Sequence, residues 1–461
     1  MMLKPIACFL AVCTALCSPV HAHPREFGMP EQGEVKRDAP ARDNVKLIQA
    51  GWLLAVPGTT ALRNQTIVVR NDKIERIDSG FTGAETFSDA DVQIVDLRQR
   101  FVLPGLMDMH VHLSMNSGDD PAFRLKGVSD EVGGATADQR DDVTQLVDSI
   151  VNARKTLLAG YTTVRDVGSA GWHVVALREA IAAGKLDGPR ILTSMATLYP
   201  GADNGPGACT GVESCRRATR RQIDMGADLI KIYASCSGSR PCGRQDAPPT
   251  FLDDELKAIV ETARSRQLPV AAHAHGEAAI ISALKAGVNS VEHGSFTPTE
   301  AVDLFKKQGT FLVPTLSVQD NIRKDIVTAK GPMLAVMQNF LGKHGPRMMS
   351  AYRAGVKIAA GSDAGIGIHG NNARELELYV REGMPAADAI LAATVNAASL
   401  IGRDKDLGTI ECGKIADIIA VAANPIADIR VLQHVFFVMK DGKIVRNDPA
   451  STFAYKSTAD Q

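Results

Sequence analysis

The sequence predicts an α/β fold, a (β/α)8 barrel carrying a small β-sandwich domain assembled from both ends of the chain. Three observations predict it. Short apolar runs alternate with helical stretches roughly eight times between residues 104 and 402, the texture of a parallel barrel. Residues 44–103 are strand after strand with polar turns, and that texture returns within 403–461. A chain of 461 residues, 45% hydrophobic and 22% charged, suits one large barrel plus a smaller domain.

The chain opens on a positively charged start, Met1 to Lys4. An apolar run over 5–17 follows, and Ser18-Pro19-Val20-His21-Ala22 gives a small-residue cleavage pattern. A signal peptide over 1–22 is expected, followed by an arm over 23–43 and a periplasmic or secreted location. Val12 and Leu16 precede Cys13 and Cys17, where a lipoprotein signal needs small residues. The run is too short to span a bilayer and no later stretch is long enough, so a soluble mature protein is expected.

The runs VKLIQAGWLLAV, QTIVVRNDKIERI, VQIVDL and FVLPG read as a β-meander with a turn at Asn71-Asp72. DIIAVA and VFFVMKDGKIV complete the composite domain, with a hairpin turn at Asp441-Gly442. The barrel strands are YTTVRDVG, PRILTSM, DLIKIYAS, PVAAHAHG, SVEHGS, FLVPTL and VKIAAGSDAG, after LPGLMDMHVH. Without the leader, five cysteines remain: Cys209, Cys215, Cys236, Cys242 and Cys412. Export favours disulfides over a four-cysteine zinc site, because the spacings are long for zinc. Four cysteines allow three pairings, and Cys412 is left over, expected to be buried.

Lys+Arg number 51 and Asp+Glu 52, for a net charge of −1. That balance excludes the basic footprint of a nucleic-acid or membrane-surface binder and leaves a small-molecule substrate. The chemistry sits at the strand ends. His110 and His112 are two residues apart, so in a strand both imidazoles face one side. Lys231, His273, His293 and Asp363 each end a further apolar strand. Burying such groups costs several kcal/mol unless they are paired or metal-bound, and six in this order point to a metal centre.

This order of HxH, Lys, His, His and Asp resembles the amidohydrolase superfamily. The resemblance covers most of the chain through LPGLMDMHVH, GYTTVRDVG, KIYAS, AAHAHG, SVEHG, GSDAG and LGTIECGKIADIIAV. With His369-Gly370-Asn371-Asn372 and Glu375-Leu376-Glu377, it is most similar to the prolidase-like branch of Xaa-Pro and Xaa-Arg dipeptidases and ochratoxinase. The resemblance implies a TIM barrel with two divalent metal ions, Zn²⁺ first among them. His110, His112 and Asp363 would hold the more buried ion, and His273 and His293 the more exposed one. Lys231 would be N6-carboxylated and bridge both ions. A hydroxide shared by the ions would attack the amide, while Asp363 passes its proton to the leaving amine.

His275 also falls within reach of a metal but is expected to stand behind His273. Tyr233 shares the face of Lys231 and, with His275 and His369, is expected to meet the substrate. Asp166 is expected to be a structural partner, and His173, His344 and His434 packing or surface residues. The implied activity is hydrolysis of small N-acyl or N-aminoacyl amino acids by a homo-oligomer. The competing readings are an imidazolonepropionase- or deaminase-like hydrolase of a cyclic C–N bond, or a lactonase or esterase. Lys231 argues against the deaminase class, which works with a single ion.

Overall fold

The computed structural model describes residues 43–449, apart from 89, 116–141, 170, 203–204 and 236–242. The expected leader, and all of the arm but Asp43, therefore lie outside the described residues. Both chain ends contribute to one seven-stranded mixed sheet. Its strands are β1 (Asp43–Leu53), β2 (Leu62–Arg70), β3 (Lys73–Ser79) and β4 (Ala90–Pro104) from the first part. The runs VQIVDL and FVLPG, read as separate strands, form the single strand β4. Its first half pairs β1 in parallel, and its second half also receives the C-terminal strand Ile418–Val421 antiparallel.

Eight parallel strands make the barrel. They are β5 (Leu106–Val111), β6 (Tyr161–Asp166) and β7 (Arg190–Thr193) in one sheet. After the short β8 (Tyr199–Pro200) and β9 (Ala208–Cys209) comes a second sheet. It holds β10 (Ile230–Tyr233), β11 (Val270–Ala274), β12 (Ser290–His293), β13 (Phe311–Val313) and β14 (Lys357–Ile358). Single parallel bridges, Leu198 to Ile232 and Val111 to Ala364, join the two sheets at both seams. A Cβ at Gly361 would lie 2.8 Å from His110 Cβ, so the closing seam needs glycine there. The remaining strands, β15 (Ile418–Val421), β16 (Val435–Lys440) and β17 (Lys443–Asn447), return to the first sheet. The turn between β16 and β17 has φ of 48° at Asp441 and 70° at Gly442, the left-handed pair that an Asp-Gly hairpin favours.

Alternation along β10 to β12 separates packing from chemistry. Ile230, Ile232, Ala272, Ala274 and Val291 face outward into one apolar core with Leu256, Ile259, Ile280 and Leu284 of the surrounding helices. Lys231, His273, Ser290 and Glu292 take the alternate, inward positions and are buried. No helix among the described residues is long and apolar enough to cross a membrane.

Cys209 and Cys215 form a disulfide that ties β9 to the helix Val212–Asp224. Cys236 and Cys242 lie outside the described residues. Cys412 is exposed, contrary to expectation, because it falls in the polar turn before β15. The disulfide closes a short loop, so its loss should cost about 2 kcal/mol through a freer unfolded chain. Denaturant unfolding of the Cys209→Ser, Cys215→Ser double variant, without reductant, should show that loss; an unchanged midpoint would reject it.

Candidate metal centre

Strand β5 supplies Asp108 and His110 on one face, and His112 continues it just past the strand. All three are buried. His110 Nδ1 lies 2.7 Å from Glu292 Oε2, and His112 Nδ1 lies 3.2 Å from the Gly168 carbonyl oxygen. Burial alone would raise the Glu292 carboxyl, but the Arg165 guanidinium and the His110 N–H hold it well below the usual range. Both acceptor oxygens are thus unprotonated, so each Nδ1 donates and each Nε2 keeps its lone pair.

Those two Nε2 atoms converge on Asp363 Oδ1, at 3.6 Å from His110 and 3.3 Å from His112. That oxygen is buried and has no hydrogen-bond partner among the described residues. Burial disfavours a charged His112, yet the Asp363 carboxylate beside it raises the imidazole pKa. In the protein alone, a proton is the positive charge this corner can recruit. Three electron-rich atoms around one point fit a divalent cation better.

A second group stands next to the first. His273, His275 and His293 offer ring nitrogens that all lie within 4.8 Å of one another. Burial, with the neighbouring histidines, pushes His273 and His293 well below the ordinary value, and His275 to about 3. Three neutral imidazoles are metal donors. His275 Nδ1 is 2.8 Å from Ser295 Oγ, and His293 Nδ1 is 2.7 Å from Thr315 Oγ1. The rings of His110 and His293 are 4.9 Å apart, which makes the two groups one centre. Lys231 is 2% exposed, and after burial its charge is the largest influence holding His110 down to about 4.

The backbone is bent to reach this arrangement. His293, Thr315 and Asp363 have φ of 67°, 54° and 56°, left-handed values unusual for side-chain-bearing residues. Glu375 accepts from the Leu316 and Ser317 N–H groups at 2.6 Å and so fixes the loop that carries Thr315.

His110, His112 and Asp363 are brought together, as are His273, His275 and His293, with Lys231 beside them. Tyr233 is half-buried with its ring 5.0 Å from that of His273. His369 lies buried behind His112. Its Nε2 donates to the His112 carbonyl oxygen at 3.2 Å and its Nδ1 accepts from Thr156 Oγ1 at 3.3 Å. With both nitrogens engaged and the ring 4% exposed, it supports the His112 backbone. Asp166 accepts from Leu113 N and Ser169 Oγ, as a structural partner would. His344 is buried against Phe340 and donates to the His293 carbonyl oxygen, while His434 is exposed.

Asp108, Arg165 and Glu292 are buried around the centre, and sequence reasoning did not single them out. Asp108 had a signal, since it extends the period of two back from His110 and His112. It accepts from Asn372 Nδ2 at 2.7 Å and Ser362 Oγ at 2.5 Å beneath the centre.

Known proteins match this sequence and fold. The profile of the amidohydrolase family matches residues 101–445. The chain belongs to the amidohydrolase family. Ochratoxinase from Aspergillus niger is 33% identical over 449 residues, covering 87% of this chain and 87% of that protein. The solved structure of a Xaa-Pro dipeptidase with bound methionine in its active site superposes with a TM-score of 0.76. Its identity is 35%, with 87% of this chain and 100% of that chain covered. The A. niger ochratoxinase structure gives a TM-score of 0.74 at 30% identity, covering 88% and 96%. This amidohydrolase is therefore a metal-dependent hydrolase acting on amide bonds, of the prolidase and ochratoxinase-like branch.

Burial sets a pH dependence that two non-ligand histidines report. It lowers His344 and His369 to about 4 each, while the unfolded chain titrates near the ordinary value of 6.5. Between these values the unfolded state binds more protons, so stability present above about 6.5 is lost as pH falls toward 4. Thermal midpoints of the amidohydrolase should drop across that window. His344→Gln should flatten the slope, and an equal slope in the variant would refute the assignment.

Proposed function

We propose that this amidohydrolase is an exported binuclear enzyme that cleaves the amide of small N-acyl or N-aminoacyl amino acids. Dipeptides and ochratoxin-type amides are the substrate class. The observation that carries the reading is the unpartnered Asp363 Oδ1 facing the His110 and His112 lone pairs beside a second trio of neutral histidines. The relatives named above supply the substrate chemistry: a Xaa-Pro dipeptidase cuts next to a free carboxylate, and ochratoxinase acts on ochratoxin.

Two zinc ions, when bound, would acidify a water molecule and polarise the substrate carbonyl. His110, His112 and Asp363 would hold one ion, His273 and His293 the other. Lys231 Nζ, as the neutral amine, would add to CO₂ and release one proton, giving an N6-carboxylysine with two oxygens to share. Asp363 takes the proton of the attacking water and returns it to the leaving amine as the C–N bond breaks. Its own N–H donates to the His110 carbonyl oxygen at 2.7 Å, which keeps the carboxylate aimed at the centre. Tyr233, His275 and His369 are the side chains we assign to the substrate, with its carboxylate toward Tyr233 and His369. Export is supported by residues 1–22 and by the Cys209–Cys215 disulfide.

Metal analysis of protein grown with zinc and bicarbonate should find close to two ions per chain. Lys231→Ala should lose most activity and at least one ion, whereas a fully active wild type holding one ion would overturn the binuclear reading. Substrate recognition is tested separately with dipeptides and N-acyl amino acids. Converting the substrate carboxylate to an amide should lower kcat/KM about tenfold or more, the cost of a lost charge-assisted hydrogen bond. Equal turnover of free and blocked substrates would favour an esterase, lactonase or broad amidase instead.

A further inference from the structure

Beneath the centre lies a buried ion pair that the hydrolytic steps do not use. Glu292 is 0% exposed and Arg165 is 2% exposed, in the interior of the barrel. Arg165 Nη2 donates to Glu292 Oε1 at 2.7 Å, its Nη1 to Ser290 Oγ at 3.0 Å, and its Nε to the Met109 carbonyl oxygen at 2.6 Å. Ser290 Oγ donates to the same Glu292 oxygen at 2.5 Å. The other oxygen, Oε2, takes the His110 Nδ1–H at 2.7 Å. Every strong donor around Glu292 thus has a stated task, and one of them is a metal-binding imidazole.

We propose that Glu292, held by Arg165 and Ser290, is a positioning residue that selects the donor tautomer of His110 and strengthens its grip on the first ion. Three features support the role over a purely structural one. A buried Arg–Glu pair adds little net stability, because desolvation offsets most of the attraction. The pair spans the barrel from β6 to β12 and ends on the His110 ring, while the same arginine also grips the Met109 carbonyl next to it. A carboxylate behind a metal-bound imidazole fixes the ring and raises its basicity, and losing it weakens metal binding about tenfold to a hundredfold. His293, by contrast, rests on the neutral hydroxyl of Thr315 and His275 on that of Ser295. His110 is therefore backed by a full negative charge where the His293 and His275 rings rest on hydroxyls.

The inference rests on the proposal that His110 binds metal, and the experiment separates the two. The full chain is stripped with a chelator and titrated with Zn²⁺ against a chromophoric competitor, as wild type, Glu292→Gln and Glu292→Asp. Melting of each metal-free protein reports folding. Glu292→Gln is expected to weaken one of two ions at least tenfold and leave the other within threefold, while its metal-free melting point falls because Arg165 loses its buried counter-charge. Glu292→Asp, which keeps the charge, is expected to recover part of the loss. The Co²⁺-loaded wild type should show an exchangeable, hyperfine-shifted imidazole N–H from His110 that is lost or shifted in Glu292→Gln. Wild type that binds no metal would overturn the metal reading itself. Two ions bound equally well by wild type and Glu292→Gln, or both ions weakened alike, would overturn the role of Glu292. If Glu292→Gln does not fold, the Glu292→Asp titration and spectrum decide the matter on the same terms.

Discussion

The constraint on which the site depends is that electron-rich atoms converge at one buried point, where only a positive charge can reconcile them. His110 Nε2, His112 Nε2 and Asp363 Oδ1 meet beneath a barrel mouth, and the hydrogen bonds to Glu292 and Gly168 dictate which nitrogen faces inward. Such a corner is unfavourable in an apolar core, where a lone buried carboxylate costs several kcal/mol. It becomes favourable once a divalent cation enters. The surrounding fold can then be understood as the rigid frame that keeps these atoms from relaxing apart.

That frame divides its labour by the pleat of the strands. Outward positions of β10 to β12 are small or branched apolar residues packed on helices, and inward positions carry Lys231, His273 and Glu292. The apolar contacts hold the strands in register, with Tyr233 opposite His273 and His273 opposite Glu292. The seven-stranded sheet of the two chain ends joins this frame through β4, which leads directly into β5 and hence into Asp108 and His110. A shift of β4 would move the first metal donors with it.

Much of this was legible in the sequence, because periodicity is a local signal. The β-rich ends, the alternation of strands and helices, and six polar groups at strand ends all follow from spacing and hydropathy. Three things were not legible, and each depends on geometry that spacing does not contain. His369 sits in a loop, where no period says which way a ring points, and it turned toward Thr156 and the His112 carbonyl. Cys412 is apolar by type but lies in a turn of Glu, Gly and Lys, so its neighbours outweighed its own preference. Glu292 was hidden by the rule that found the others: next to an inward His293, a residue of a regular strand should face outward.

The exception at Glu292 has a physical cause that applies across the site. A strand can send only every second side chain inward, yet the centre needs Glu292 and His293 together, and likewise Ser362 and Asp363. In both pairs the second residue takes a left-handed φ, 67° at His293 and 56° at Asp363, which swings its side chain back to the face its neighbour already occupies. Each such residue costs about 1–3 kcal/mol of backbone strain. Glycine would avoid that cost, but it has no side chain to offer, and here the side chain is a metal donor or the proton carrier. The strain is tolerated because the following backbone is tied down: Gly294 N–H reaches the Ala274 carbonyl, and Ile366 and Gly367 N–H reach that of Asp363. Donors held by backbone shape instead of by flexible rotamers are already in place before an ion or substrate arrives. That preorganisation lets a chain of ordinary residue types assemble a dense group of buried donors at the ends of short strands.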